Sequence, residues 1–438
     1  MKRTLFPPNR HLGGRIGAAL LAVSLLAGPG LATPAAAVAP SPTVTPAPST
    51  APVVPATPAA EPAQSQPITA LAPASTVSPA PYSPPATERS SAAYRTAMSA
   101  ATRTGTAVPS ASIYFELLKR YAERVDKMSN GRLKIEVLPD GAIVPAFEIL
   151  DAVDKGIIEG GYAWTHYWSG KHPAAGLFSN PMAGSGAGMD QLTHVAWLLE
   201  GGGNQLLEKF YTDVLKLKVV PMMVQPMGPD PLGWFKRPIK DVADFKTMKY
   251  RSPPGITGEI FKEMGIAAVA MPGGEIVPAA QRGTIDAAEW IGPADDRNLG
   301  LHTVWKHYYL QGLHQSTDVG EVLWNKAFYD KLTPDLKEIL KGAALASMTE
   351  TYSFNVYRNA QAIIELREKH GVQVLDTPKD FFPEFVRATN VVLDRYAAKD
   401  AFFKEVLDSQ RAFGKTVVPY WTKIIDLYSQ LGNASPLK

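Results

Sequence analysis

Residues 148–161 read EILDAVDKGIIEGG, and residues 275–288 read EIVPAAQRGTIDAA. Five of the fourteen paired positions are identical, and a basic residue precedes the shared glycine in both copies. Each copy fits a short helix capped by this glycine, because glycine adopts the left-handed conformation without strain and a cation there meets the negative end of the helix dipole. Helix, cap and strand also recur by chance in α/β proteins, but the matched charges favour duplication. The repeat therefore predicts two lobes of one α/β plan.

The strands expected after the two caps end at residues 162–164 and at residues 289–290. In open α/β sheets, ligands bind beyond the carboxyl ends of the strands. We therefore expect the two strand ends to face each other across a ligand cleft between the lobes.

The amino terminus has the layout of a secretory signal peptide: basic residues, an apolar run at residues 16–26, and small residues that end at Ala37 or Ala39. The apolar run is too short for a membrane anchor, which needs about 20 residues. We predict that residues 1–37 are a cleaved signal peptide and that the mature protein is periplasmic. The sequence contains no cysteine, which excludes disulfides and a lipid-modified cysteine.

Composition divides the rest of the chain. Residues 38–89 are mostly Pro, Ala, Ser, Thr and Val with hardly a charge, so they should form a disordered spacer that cannot bury enough apolar surface to fold. Helical patterns dominate the end of the chain and would either brace the lobes or form a dimer surface. We expect a folded region over residues 90–438, with lobe 1 at about 90–225, lobe 2 at about 226–330 and C-terminal helices at 331–438.

Two function classes receive no support from the sequence. The formal charge of +3 is too small to indicate a nucleic-acid partner, and part of it lies in the signal peptide. No nucleophile elbow, dinucleotide fingerprint, P-loop or zinc-protease motif occurs in the chain. The histidines are scattered, and His166 and His172 are not spaced as zinc ligands on one helical face, so we interpret them as structural or surface residues. We therefore predict a binding protein rather than an enzyme.

Three charged residues are candidates for holding an anion and a cation. Arg251 lies at a strand exit before a Pro-Gly bend, where its guanidinium could grip a carboxylate through two hydrogen bonds or form an exposed salt bridge. Glu289 lies among apolar residues, where a buried charge needs a cation, a proton or a hydrogen-bond donor. Asp230 lies on a Pro-bracketed turn, which it could simply cap.

The segment GEIVPAAQRGTIDAAEWIGPADDRNLGL at residues 274–301 resembles the solute-binding subunits of TRAP transporters, in the branch that binds 2-oxo or 2-hydroxy monocarboxylates. MKYR at 248–251, GWFK at 233–236 and HYWSGK at 166–171 agree in order and spacing. The likeness spans about residues 110–432. It implies a two-lobed periplasmic-binding-protein fold with a ligand cleft between the lobes and long C-terminal helices.

The resemblance also implies roles for individual residues. Arg251 would bind the ligand carboxylate, and Tyr167 would line the other lobe. The Glu289 side chain and the Trp290 backbone carbonyl would ligate a cation, such as calcium or sodium, that also touches the oxo or hydroxy oxygen of the ligand.

Two positions depart from the pattern of the related proteins. Asp230 replaces a glutamine metal ligand, and its charge would favour a divalent ion over sodium if it joins the metal site. Pro226 replaces an asparagine that contacts the ligand, which leaves the particular acid open.

The resemblance implies membrane permease subunits as partners, and it suggests a homodimer through the C-terminal helices. A sensory or storage ligand-binding protein that is not coupled to transport is the alternative function. A secreted metal-dependent lyase or hydrolase is a third, for which the sequence supplies no evident general base.

Overall fold

The computed structural model describes residues 102–182, 185–312 and 314–435. The predicted signal peptide at residues 1–37 and the predicted spacer at residues 38–89 lie outside the described residues. Among the helices of the described part, none combines the length and apolar character that crossing a membrane requires.

Strands and helices alternate along the first two thirds of the chain, and helices dominate the last third. The strands are β1 Thr102–Thr106, β2 Ile135–Leu138, β3 Gly160–Trp164, β4 Val219–Met227, β5 Gly233–Phe235, β6 Lys249–Ser252, β7 Ala267–Ala270, β8 Ala287–Ala288, β9 His307–Tyr309, β10 Asp318–Asn325 and β11 Gln373–Leu375. The α-helices are α1 Ile113–Met128, α2 Ile149–Asp154, α3 Ala175–Ser179, α4 Gln191–Glu200, α5 Gly203–Lys209, α6 Val242–Phe245, α7 Ile256–Glu263, α8 Gly273–Gln281, α9 Pro293–Leu299, α10 Lys326–Asp330, α11 Pro334–His370, α12 Phe381–Ala397 and α13 Ala401–Ala434.

Two mixed sheets organise the fold. The first has the order β2-β1-β3-β10-β4, and the second has the order β11-β9-β5-β8-β6-β7. In the first sheet, β1, β2 and β3 are parallel, whereas β10 is antiparallel to both β3 and β4. In the second sheet, β6 is parallel to β7 and β8, and β5 is antiparallel to β8 and β9. The chain is thus an α/β protein with two sheets, as the sequence predicted.

The duplicated segment forms the same local structure twice. In the first copy, α2 ends before Gly156 and β3 follows; in the second, α8 ends before Gly283 and β8 follows. Both glycines have a φ of +70°, which an L side chain adopts only with strain. The glycine caps were predicted from the sequence, and the structure confirms them.

Two strands join sheets other than the sequence implied. Strand β10 lies within residues 226–330, which were assigned to lobe 2, yet it pairs with β3 and β4 in the first sheet. Strand β11 lies within residues 331–438, which were assigned to the C-terminal helices, yet it pairs with β9 in the second sheet. Every residue of β10 is buried, so the strand has no alternation that would indicate its partner sheet.

The longest helix, α11, begins after Thr333 with Pro334 in its first turn, a position where the missing proline N–H leaves no hydrogen bond unmade. It packs on β4 and α1 beside the first sheet and also on α9. A single cluster of buried apolar side chains runs through both sheets. Helix α11 therefore connects the first sheet with α9, the helix that follows β8 of the second sheet, as expected for the brace that was one of the two roles considered from the sequence.

Candidate functional site

A small pocket lies where several strand ends meet. Tyr167 follows β3, Asp230 follows β4, Arg251 lies near the end of β6, and Glu289 and Trp290 follow β8. All five residues that were singled out from the sequence line this one pocket. The complete lining is Trp164, His166, Tyr167, Asp230, Arg251, Pro253, Glu289, Trp290, Ile291, Gln315 and Asp318.

Arg251 and Glu289 form a buried ion pair, since their residues are 2% and 1% exposed. One guanidinium nitrogen of Arg251, Nη1, donates to the Glu289 carboxylate and to the Glu289 carbonyl, the latter at 3.1 Å. Nε and Nη2 donate to the Met271 carbonyl at 3.1 and 2.9 Å. These hydrogen bonds fix the guanidinium in the pocket wall and give the buried Glu289 carboxylate a cationic partner. It also means that Arg251 is not the exposed salt bridge considered from the sequence.

Negative charge exceeds positive charge in the pocket. Burial raises the pKa of Glu289 to about 8, and the Arg251 guanidinium opposes this rise. Burial also raises the pKa of Asp230 well above its usual range, with further contributions from Asp318 and Glu289. Three carboxylates therefore share one guanidinium, and a bound cation or a proton would relieve their repulsion.

A buried acidic pair at the start of α9 holds the tryptophans of the second sheet in place. Asp295 accepts a hydrogen bond from Trp290 Nε1 at 2.5 Å and another from the Ile113 N–H of α1 at 2.6 Å. Asp296 accepts from Trp234 Nε1 at 2.8 Å. Asp295 thereby ties Trp290 to the first turn of α1, which packs beside the first sheet.

Aromatic side chains form the opposite side of the pocket. The ring of Tyr167 lies 4.9 Å from Phe147 and 5.3 Å from Trp164, measured between centroids. Trp164 in turn meets Trp290 edge to face at 6.2 Å, and the Arg251 guanidinium lies 5.4 Å from the Trp290 ring. The two strand ends therefore face each other through their aromatic residues, as expected from the sequence.

Three pocket residues were missed or interpreted differently from the sequence: His166, Gln315 and Asp318. His166 was assigned to the structural or surface histidines, yet it lines the pocket with its Nδ1 3.4 Å from Asp318 Oδ2. Gln315 and Asp318 reach the pocket because β10 runs antiparallel to its neighbours, so its amino end lies beside the carboxyl end of β3. A search restricted to the carboxyl ends of strands does not find them.

The donor set suits a hard cation. Carboxylate and carbonyl oxygens from Glu289, Trp290 and Asp230 are the ligand types that calcium, sodium and magnesium prefer. In the described part of the chain, no three acidic, histidine or cysteine side chains converge as a metal site built from side chains alone would need. The ligand set predicted from the sequence contains only two side chains, and the ligand or water would complete it.

A second, larger cavity of about 240 Å³ adjoins the pocket at Pro253. It lies between the turn at residues 169–173 and the start of α7. Its ionisable groups include the exposed Lys262 and the partly exposed Glu259, which accepts a hydrogen bond from Tyr396. The smaller pocket is the better candidate site, because its charged groups are buried and therefore interact strongly with a ligand.

Comparison with known proteins fixes the family. The model of the bacterial extracellular solute-binding protein family 7 matches residues 104–400. The chain belongs to this family. Family 7 consists of solute-binding receptors that act outside the cytoplasm, so the chain is a solute-binding protein and not an enzyme.

One similar protein is a monocarboxylate 2-oxoacid-binding periplasmic protein from Nostoc sp., which is 32% identical over 72% of this chain and 84% of its own length. A TRAP transporter solute-binding protein from Bordetella bronchiseptica, a dimer with copurified calcium and picolinate, is 26% identical, covers 77% of this chain and 98% of its own, and has a TM-score of 0.71. A TRAP periplasmic solute-binding protein from Pseudoalteromonas atlantica with bound sodium and pyruvate is 27% identical, covers 76% and 98%, and has a TM-score of 0.69. The resemblance and the two-lobed fold predicted from the sequence are confirmed.

Proposed function

We propose that this chain is the extracytoplasmic subunit of a TRAP-type transporter and captures a small 2-oxo or 2-hydroxy acid together with a cation in the pocket at Arg251. The observation that carries the proposal is a buried guanidinium at a strand end, fixed in the wall of a pocket. Four of the five N–H groups of this guanidinium donate to Glu289 and Met271, so one Nη2 N–H and the positive charge remain for a ligand carboxylate, and burial strengthens that interaction. The relatives that bind pyruvate, picolinate and 2-oxoacids support the same chemistry.

We assign the cation to Glu289, the Trp290 carbonyl and Asp230. The cation would supply a positive charge that neutralises the excess carboxylates and polarises the oxo or hydroxy oxygen of the ligand. Both calcium and sodium occur in the related structures. Asp230 adds a second carboxylate, and carboxylate charge favours calcium over sodium.

A thermal-shift screen of small organic acids, each with calcium, with sodium and with a chelator, tests the proposal. Binding to the folded state raises the melting temperature by mass action, by an amount that corresponds to about 2.7 kcal/mol at a ligand concentration of 100 Kd. We expect pyruvate or lactate to raise the melting temperature in calcium more than in chelator. Inorganic phosphate and neutral sugars serve as controls. A shift with sugars and none with acids would refute the proposed ligand class.

We further propose that the signal peptide directs the protein to the periplasm, where permease subunits receive the ligand. Genes for permease subunits beside this gene would favour transport, and their absence would favour the sensory or storage alternative.

The C-terminal helix offers a surface for a homodimer. Tyr420, Leu427, Tyr428 and Leu431 are 54–70% exposed, and their spacing places them along one face of α13. Burying such a stripe against a second copy would remove about 25 cal/mol of unfavourable free energy per Å² of apolar surface. Light scattering should give a dimer for the wild type and a monomer for Leu427→Glu/Leu431→Glu, while Lys423→Glu on the same helix should stay dimeric. A monomeric wild type would refute the dimer.

A further inference from the structure

Unpaired acceptor atoms line the pocket wall formed by the start of β10 and the turn after β4. Asp318 Oδ1, Gln315 Oε1 and Asp230 Oδ1 have no hydrogen-bond partner among the described residues. The three residues are 4%, 2% and 2% exposed, and each lines the pocket. A buried acceptor without a donor is unfavourable, so a ligand that brings hydrogen-bond donors to this wall would bind more tightly.

The orientation of these side chains is set by bonds within the wall. Gln315 Nε2 donates to Asp318 Oδ2 at 2.9 Å, which leaves Gln315 Oε1 and Asp318 Oδ1 as acceptors. The Gln315 carbonyl accepts from the Asp230 N–H at 3.0 Å, and this bond ties the two parts of the wall together. The amide and the carboxylate are therefore held in place before any ligand binds.

Among the other ionisable groups of the pocket, His166 has a buried Nδ1 without a hydrogen-bond partner, which lies 3.4 Å from Asp318 Oδ2 and leaves Asp318 Oδ1 without a donor. The Arg251 guanidinium donates to Glu289 and Met271, and the proposed cation takes Glu289 and Asp230. Neither satisfies Asp318. The pocket therefore offers a ligand one remaining N–H of the Arg251 guanidinium at one wall and the acceptor oxygens of Asp318 and Gln315 at another.

We propose that the ligand is an acid with a hydrogen-bond donor, a hydroxyl or an amino group, on the carbon beyond its 2-oxo or 2-hydroxy position, and that Asp318 and Gln315 accept this donor. The inference rests on the proposed function. An acid that ends in a methyl group leaves both acceptors unpaired, and sites built to hydrogen-bond a donor discriminate strongly against analogues that lack it. Asp318 is then a specificity-determining residue of the pocket.

Three acids with the same carbon skeleton test the inference: lactate, glycerate and isoserine carry hydrogen, hydroxyl and ammonium at the third carbon. Calorimetry on the purified protein with calcium should show glycerate or isoserine binding at least tenfold more tightly than lactate, which is about 1.4 kcal/mol. A hydroxyl ligand predicts that glycerate is the tighter of the two, and an amino ligand predicts isoserine. The pair of pyruvate and 3-hydroxypyruvate repeats the test for 2-oxo acids.

The variant Asp318→Ala should bind all three acids with similar affinity. Asp376→Ala is the matched control, because Asp376 also accepts a hydrogen bond from a glutamine, Gln311, but lies on the surface. If Asp318→Ala fails to fold, Asp318→Asn provides the readout, since losing the charge should weaken isoserine more than lactate. Equal affinities in the wild type, a preference that survives in Asp318→Ala, or an undiminished preference for isoserine in Asp318→Asn would overturn the inference and leave the proposed function intact. If no acid binds in calcium or in sodium, the proposed function itself fails.

Discussion

The two copies of the duplicated unit share their backbone and differ in the residues just after it. Each has a helix, a glycine with a φ of +70° and a strand that ends at the pocket. The end of β3 and the turn after it supply the aromatic rings of Trp164 and Tyr167, whereas the residue after β8 supplies the carboxylate of Glu289 beside Arg251. One backbone plan therefore delivers an aromatic surface from one sheet and an ion pair from the other.

The difference shows that the repeated helix and strand bring the chain to the pocket, whereas the residues just after the repeat determine which side chains line it. In the second copy, the Glu289 carboxylate forms an ion pair with Arg251 within the pocket. Near the end of the first copy, the buried carboxyl group is that of Glu321 in β10. It accepts a hydrogen bond from Trp168 Nε1 at 3.3 Å. Substitutions at the two ends should therefore affect binding and stability to different extents.

The largest effect is expected from Arg251→Met at the charged end. The affinity for pyruvate should fall at least about 100-fold, since each charged hydrogen bond is worth about 1.5–3 kcal/mol. Above about pH 8, where Glu289 is ionised, stability should fall by about 3–5 kcal/mol, because the buried carboxylate loses its partner. Calorimetry and denaturant unfolding measure the two effects.

Arg282→Met is the control for Arg251→Met, since Arg282 caps the second copy on the surface. The double variant Arg251→Met/Glu289→Gln should recover part of the stability and none of the affinity. Unchanged pyruvate affinity in Arg251→Met would remove Arg251 from the ligand site.

A smaller effect is expected from Asp230→Gln, which removes the charge of the side chain and keeps an oxygen that can bind a cation. Removing one carboxylate should weaken the calcium dependence of pyruvate affinity by about tenfold, because the charge count of the ligands sets the affinity for calcium. Calorimetry in calcium, in sodium and in chelator measures the change. Identical cation dependence in the variant and the wild type would exclude Asp230 from the cation site.

The pH dependence of stability compares the two buried carboxyls. Burial raises the pKa of Glu321 to about 7 and that of Glu289 to about 8, above the unfolded value near 4.5. The folded state therefore holds protons that the unfolded state has released, and stability should decrease from pH 6.5 to 8.5, by at most about 1.4 kcal/mol per pH unit for each group. Burial lowers the pKa of His194 to about 4 and that of His314 to about 3, and their opposite effect is confined to lower pH.

Denaturant unfolding at several pH values in this window measures the slope. Glu321→Gln and Glu289→Gln should each flatten it, and the surface variant Glu338→Gln should not. A wild-type stability that increases with pH between 6.5 and 8.5 would contradict the raised pKa values.

The smallest effects are expected from Gly156→Ala and Gly283→Ala. Each places a side chain in the left-handed region, at a strain of about 1 kcal/mol. An alanine Cβ meets no atom closer than 3.6 Å at Gly156, and none within 4 Å at Gly283, among the described residues. Thermal unfolding should therefore give equal losses, with pyruvate affinity unchanged. Clearly unequal losses would show that the two caps are not equivalent.

Much of the site could be predicted because its residues follow parallel strands or match a family motif. Arg251 lies near the end of β6, Glu289 and Trp290 follow β8 in the distinctive segment at residues 274–301, and all three line the pocket. Asp318 and Gln315 could not be found in this way, because an antiparallel strand brings its amino end to the ligand edge. The ion pair between Arg251 and Glu289 could not be predicted either. Arg251 lies in β6 and Glu289 follows β8, and the pairing of these two strands depends on the tertiary fold.

A crystal structure of the protein with calcium and pyruvate tests the central claim most directly. We expect the pyruvate carboxylate within hydrogen-bond distance of the Arg251 guanidinium, with calcium in contact with Glu289 and the Trp290 carbonyl. Pyruvate in the larger cavity between residues 169–173 and α7, with the Arg251 pocket closed to it, would contradict the account.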